Sequence, residues 1–166
     1  MIRQNRRRTV RAIVVTALFA VASLTAPADA TAESGKDANC AFIVHGSQPG
    51  RDASPISRAC GDTATLNAAS AGKTLLVRVY EHAGWRGGRA DIYGDDGPCD
   101  RKGYLIDVSA VGWGYRISSY RLYGACHWSH YSDIVNNTSY GQIGDVEYVG
   151  DRWNDFVALL KVWSRV

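Results

Sequence analysis

Past its first thirty residues, the chain has no long apolar run, no cluster of Lys or Arg, no Cys-x-x-Cys pair and none of the short hydrolase signatures. Each absence removes a class of function. Without about 20 consecutive apolar residues there is no membrane-spanning helix. Without a concentrated cationic face there is nothing to displace counterions from a nucleic acid. Without Cys-x-x-Cys spacing, a structural zinc site loses its usual framework. With neither G-x-S-x-G nor H-E-x-x-H, and with the four histidines scattered at 45, 82, 127 and 130, no catalytic residue is assigned and the chain is read as a non-enzyme.

What is present begins with an export signal. "MIRQNRRRTVR" holds five arginines, "AIVVTALFAVASLTAP" is an apolar stretch too short to span a bilayer, and Ala28-Asp29-Ala30 is a small-x-small cleavage site. Residues 1–30 are therefore expected to be a signal peptide, and the protein to be secreted and extracellular. Of 19 basic and 16 acidic residues, the signal takes five Arg and one Asp, leaving 14 against 15. The apparent basicity of the chain is a property of its leader.

About 136 residues remain, enough for one domain with a real core. They contain four cysteines, Cys40, Cys60, Cys99 and Cys126. An even count in an exported chain points to two disulfides, with three pairings open. The favoured one joins Cys40 to Cys60 and Cys99 to Cys126, closing two local loops, each worth roughly 3 kcal/mol in the chain-entropy account. Residues 31–72 are poor in large apolar side chains apart from "CAFIVHG". They read as an N-terminal arm held down by the first disulfide. From residue 73 onward, alternation and frequent glycine-bearing turns predict an all-β domain over 73–166.

That domain carries an internal repeat. "WGYRISSYRLY" (113–123) aligns without a gap on "WNDFVALLKVW" (153–163) at a period of 40, and "DVSAVG" (107–112) parallels "DVEYVG" (145–150). The second copy is ambiguous by itself, its apolar spacing suiting a helix as well as a strand. The first copy, with paired serines and alternation, reads as a strand, so both are expected to be strands. Two units, about 75–123 and 125–163, are expected to pack face to face, each covering the surface the other exposes.

At the start of the first unit, "YEHAGWRGG" places Tyr80, Trp85 and Gly87 in an aromatic-x-x-x-x-aromatic-x-Gly pattern. Joined to the twice-repeated Trp-led ending, it resembles the βγ-crystallin Greek-key superfamily. The resemblance implies an all-β sandwich of two Greek keys, with Tyr80 and Trp85 stacked across a folded hairpin. It also implies a calcium loop, [ND]-[ND]-x-x-[ST]-S, which is divided here between the copies. The first keeps Ser118 and Ser119; the second keeps Asn154 and Asp155. Because such loops share ligands across the pair, one composite site is implied, built from Asn154 and Asp155 with Ser118 and Ser119; the bland alternative is that these residues only cap turns.

In context the chain is similar to small exported bacterial peptidase inhibitors of this fold. The loop "YGDDGPCDRKGY" (93–104) is extra length relative to the second unit. Pro98, Asp100, Arg101 and Lys102 are the candidate inhibitory residues, an extracellular protease is the implied partner, and a monomer is expected. Other readings are an extracellular calcium-binding structural domain, a killer-toxin-like exported protein, and a carbohydrate binder suggested by the five Trp. The last is weakened because Trp113 and Trp153 look like core.

Overall fold

The structure is a computed structural model and describes residues 40–46, 53–133 and 138–165. The expected signal peptide and residues 31–39 lie outside the described residues. Nine strands and one helix follow in order: β1 Cys40–Val44, β2 Ile56–Cys60, α1 Thr63–Ser70, β3 Thr74–His82, β4 Arg86–Gly94, β5 Tyr104–Asp107, β6 Ser119–Leu122, β7 Trp128–Asp133, β8 Thr138–Ile143 and β9 Leu159–Trp163. They form a five-stranded sheet in the order β2-β1-β4-β3-β6 and a four-stranded sheet in the order β5-β9-β7-β8.

The two units are Greek keys that exchange a piece of chain. In the first, β3 pairs with β4 and β6, while β5 leaves for the other sheet and pairs with β9, the last strand of the second unit. In the second, β7 pairs with β8 and β9, while Val146 crosses back and bridges Tyr120 in β6. Each unit thus completes the other's sheet. The inner faces carry the alternate residues that periodicity demands: Val77 and Val79 from β3, Tyr120 from β6, Tyr131 from β7, Leu160 and Val162 from β9, all buried. Trp113 and Trp153 are buried as the repeat predicts, and Tyr131 meets the Trp153 ring edge-on at 5.2 Å. Two buried tyrosine hydroxyls are satisfied: Tyr120 hydrogen-bonds Ser129 Oγ at 2.7 Å, and Tyr131 donates to the Val149 carbonyl at 3.1 Å. Burial pushes the Tyr120 hydroxyl well above the ordinary phenol range. This is the βγ-crystallin-like double Greek key that the sequence pattern implies.

The N-terminal segment is tethered by the Cys40–Cys60 disulfide and is also part of the sheet. All five residues of β1 are buried, and β1 runs parallel to β4 through Ala41 with Asp91 to Val44 with Gly94. β2 then closes the edge, and the exposed helix α1 follows with Asp62 capping it through the Thr65 amide at 2.8 Å. Nothing in α1 is buried, so periodicity had no apolar stripe to detect there; the Asp three residues before Thr65 was its only mark.

The signature hairpin differs from expectation in one respect. Among the described residues no ring contact joins Tyr80 to Trp85. Instead the guanidinium of Arg121 lies 3.9 Å from the centre of the Trp85 ring. Trp85 takes a left-handed backbone (φ 58°), and Gly87 follows at φ 80°, where a side chain would be strained and would strike His82. The fold of the hairpin is kept; a cation occupies the face assigned to the second ring.

Candidate functional site

Two places in the fold gather the residues singled out by sequence: the loop between β4 and β5, and the paired turns that enter β6 and β9.

The loop of residues 95–103 is fastened from behind. Cys99 is disulfide-bonded to Cys126, and its amide donates to the Gly124 carbonyl at 2.7 Å. The Asp100 carboxylate accepts from the amides of Lys102 and Gly103, both at 2.8 Å, a turn that Asp makes readily. Those amides, Gly103 first, hold the Asp100 carboxyl below its ordinary range. The Asp100 carbonyl accepts the Ser164 amide at 2.8 Å, tying the loop to the chain beyond β9. Gly103 (φ 62°) passes so close to β9 that a Cβ there would stand 2.0 Å from the Val162 carbonyl oxygen. Beneath, Tyr104 donates to the Gly97 carbonyl at 2.8 Å, and burial pushes its hydroxyl up to about 12. At the loop's start His45 and the Gly46 amide both hold Asp95.

The result is a display. Pro98, Asp100, Arg101 and Lys102 are exposed, whereas Cys99 and Gly103, which anchor them, are buried. Beside them lies a hollow of about 100 Å³ lined by Asp96, Pro98, Asp100, Lys102, Gly103 and Tyr104. The structure brings all four candidate inhibitory residues onto one rigid loop.

The paired turns are joined by a reciprocal cross-brace. The Tyr115 amide donates to the Val157 carbonyl and the Asp155 amide to the Ile117 carbonyl, each at 3.3 Å. Tyr115 and Asp155, forty positions apart, share a left-handed backbone, with φ of 64° and 61°. The turn bearing Asn154 and Asp155 is therefore set next to the one bearing Ser118 and Ser119. The oxygen chemistry is less generous. Ser118 Oγ donates to the Glu81 carbonyl, and Ser119 Oγ donates to the His82 carbonyl while accepting the Trp85 amide. The Asn154 amide group donates to Asp155 at 2.8 Å. Ser119 thus has both roles filled by the hairpin, and Asp155 is the one carboxylate in the candidate set. A calcium ion takes six to eight oxygens, and Asn154, Asp155 and Ser118 supply three, or four with a bidentate Asp155, while Ser119 is fully buried with its hydroxyl already bonded twice. Among the described residues, no group of three or more His, Cys, Asp or Glu is placed to hold a metal.

Sequence reading overlooked Arg116 and Glu81. Their side chains form an ion pair, Arg116 lies over the Trp113 ring at 4.8 Å, and Glu81 also accepts the Gly88 amide at 2.9 Å. The hydrogen bond from Arg116 is the main reason the Glu81 carboxyl sits below its ordinary range. The pair spans 35 positions, and no local pattern announces it.

No protein-family model matches the chain, and no curated protein matches it. Solved structures do. A βγ-crystallin domain from Flavobacterium johnsoniae is 17% identical, with 54% of this chain and 96% of that one covered and a TM-score of 0.40. A βγ-crystallin domain from Clostridium beijerinckii is 15% identical, with 53% and 97% covered and a TM-score of 0.40. The N-terminal domain of protein S is 17% identical, with 54% and 97% covered and a TM-score of 0.40. The double Greek key is established by the chain's own strand exchange, in which β5 pairs with β9 and Val146 bridges Tyr120.

Proposed function

We propose that the protein is a secreted, non-enzymatic binding protein that inhibits an extracellular peptidase through the loop of residues 95–103. The observation that carries this reading is the loop's construction: four exposed side chains on a backbone fixed by a disulfide, an Asp100 turn and a hydrogen bond to the C-terminal segment. A loop already held in one shape loses little conformational entropy on entering a cleft, and that saving appears as affinity. Two disulfides, and no helix among the described residues long and apolar enough to cross a membrane, support the export reading. Titration of the purified chain against a panel of secreted serine and metallopeptidases should give stoichiometric inhibition of at least one. Replacing Asp100, Arg101 and Lys102 together by Ala should abolish it. Full peptidase activity at excess protein across the panel removes the reading.

A second reading, a degenerate calcium site, has one observation in its favour: the cross-brace that sets Asp155 beside the Ser118 turn. With so incomplete an oxygen shell, binding is weak, and at an ion concentration equal to Kd the gain is only about 0.4 kcal/mol. A melt in millimolar Ca²⁺ should rise slightly and lose that rise in Asp155→Asn. No rise at all removes the site.

A further inference from the structure

The outer face of the four-stranded sheet carries an aromatic row in which Trp128 and Trp163 are half-buried. Trp163 of β9 and Trp128 of β7 are directly paired across the strands, and their rings stack at 6.4 Å with 25° between planes. Ile143 of β8 is the next partner in the row and is 64% exposed. Cations border this row on both sides. The Arg165 guanidinium lies 3.7 Å from the centre of the Trp128 ring, and Arg101 donates to the Arg165 carbonyl at 3.3 Å. On the other side, Lys161 reaches to 5.7 Å from the Trp163 ring, next to exposed His130 and Gly141.

Among the described residues none of Arg101, Lys161 and Arg165 has a carboxylate partner. In the opposite sheet Arg78 is paired with Asp91 and Arg121 with Asp145, whereas Arg86 and Arg89 of β4 have no carboxylate partner among the described residues. A guanidinium lying over an indole keeps its N–H groups available for a planar carboxylate, which an ammonium cannot match in geometry. Trp and Arg are also residue types that dominate binding energy at interfaces.

The dimensions point to an extended ligand. Three adjacent strands make the row about 10 Å wide, and the cations lie against its rings, Arg165 at 3.7 Å from the centre of Trp128 and Lys161 at 5.7 Å from that of Trp163. At Gly141 the face is open, since an added Cβ would meet nothing nearer than the Ser129 carbonyl at 3.8 Å. An extended chain of flat apolar faces with carboxylates along its edges matches this pattern of indoles flanked by cations. A bilayer would require more protruding aliphatic surface than Ile143 alone supplies.

We propose that this face binds a linear anionic polysaccharide of the polyuronate type, its sugar faces against Trp128 and Trp163 and its carboxylates against Lys161, Arg165 and Arg101. The site shares Arg101 with the proposed inhibitory loop but does not depend on peptidase inhibition. Alginate is the probe, with dextran as a neutral polysaccharide, polyglutamate as a polyanion without sugar rings, and phosphatidylglycerol vesicles as a lipid surface. The full chain should bind alginate, and bind dextran and polyglutamate at least about tenfold more weakly. Charge reversal at exposed positions, Lys161→Glu with Arg165→Glu, should lower alginate affinity about tenfold or more while leaving the melting temperature in place. Trp128→Ala with Trp163→Ala should lower alginate affinity by a similar factor and leave the weak polyglutamate binding unchanged. Polyglutamate binding as tight as alginate, vesicle binding without alginate binding, or alginate binding untouched by the charge reversal would each overturn the proposal.

Discussion

The two Greek-key units share a backbone and differ in what their side chains do with it. Both enter their last strand through a left-handed residue, Tyr115 or Asp155, and both donate that residue's amide to the other unit. In the first unit Ser118 and Ser119 then reach back to the carbonyls of Glu81 and His82, and Arg116 holds the Glu81 carboxylate. In the second unit the matching positions are Ala158, Leu159 and Phe156, none able to form such bonds, and Phe156 is 48% exposed. The turn entering β6 is locked by polar side chains; the matching positions at the turn entering β9 form no such bonds, and the cross-brace joins the two turns. The duplicated backbone tolerates this because each unit's missing sheet edge is supplied by its neighbour. Polar locking needs to be present on only one side of a joint interface.

The comparison is broken most severely in the core. Trp113→Ala and Trp153→Ala should each cost about 3–5 kcal/mol in denaturant unfolding, with Trp113→Ala the costlier because Arg116, held by Glu81, lies closer over Trp113 (4.8 Å) than Arg152 does over Trp153 (5.8 Å). Equal losses would show that the polar lock adds nothing to the first unit. Next in size is removal of the Cys99–Cys126 bridge by the double Ser variant, expected to cost about 3 kcal/mol and to lower the thermal midpoint. That variant should also lose peptidase inhibition before it loses the fold.

Smaller again, Ser119→Ala leaves the His82 carbonyl and the Trp85 amide without their partner. Stability should fall by about 1–3 kcal/mol by urea titration, whereas Leu159→Ser in the second unit brings no matching gain. The smallest effect concerns acid. The Glu81 carboxyl is held below its ordinary value of 4.5, chiefly by the Arg116 hydrogen bond. Its contribution is therefore complete above that value and disappears as pH falls through the lower, folded-state value. Both side chains are partly exposed, so the amount is about 1 kcal/mol at most. Melts from pH 7 to pH 2 should fall less steeply in Glu81→Gln than in the parent. Identical slopes would remove the pair from the lock.

Most of the architecture was legible because it was written twice. The period of 40 predicted a strand over residues 153–163, whose own apolar spacing was ambiguous; the structure keeps it at β9, Leu159–Trp163, while residues 153–156 form a turn. The same repeat marked Trp113 and Trp153 as core. Local loop closure pointed to the disulfide pairing the structure contains. The candidate loop was legible as surplus length between matched strands. Less visible were Arg121 in place of Tyr80 against Trp85, the Arg116 and Glu81 pair, and the row of Trp128 and Trp163. Each joins residues from different strands through sheet register, and register leaves no trace in a local window.

The sequence by itself determined that the chain past its first thirty residues holds two related β-units with Trp113 and Trp153 inside and cysteines closing local loops. Alternation, turn residues and repetition are properties of neighbouring positions, and they act before any long-range contact forms. Only the tertiary structure decided that β5 and Val146 are exchanged, that β1 enters a sheet beside β4, and that cations gather around one aromatic row. Those outcomes depend on which surfaces meet once the apolar faces leave water, and that choice is made by the whole chain at once.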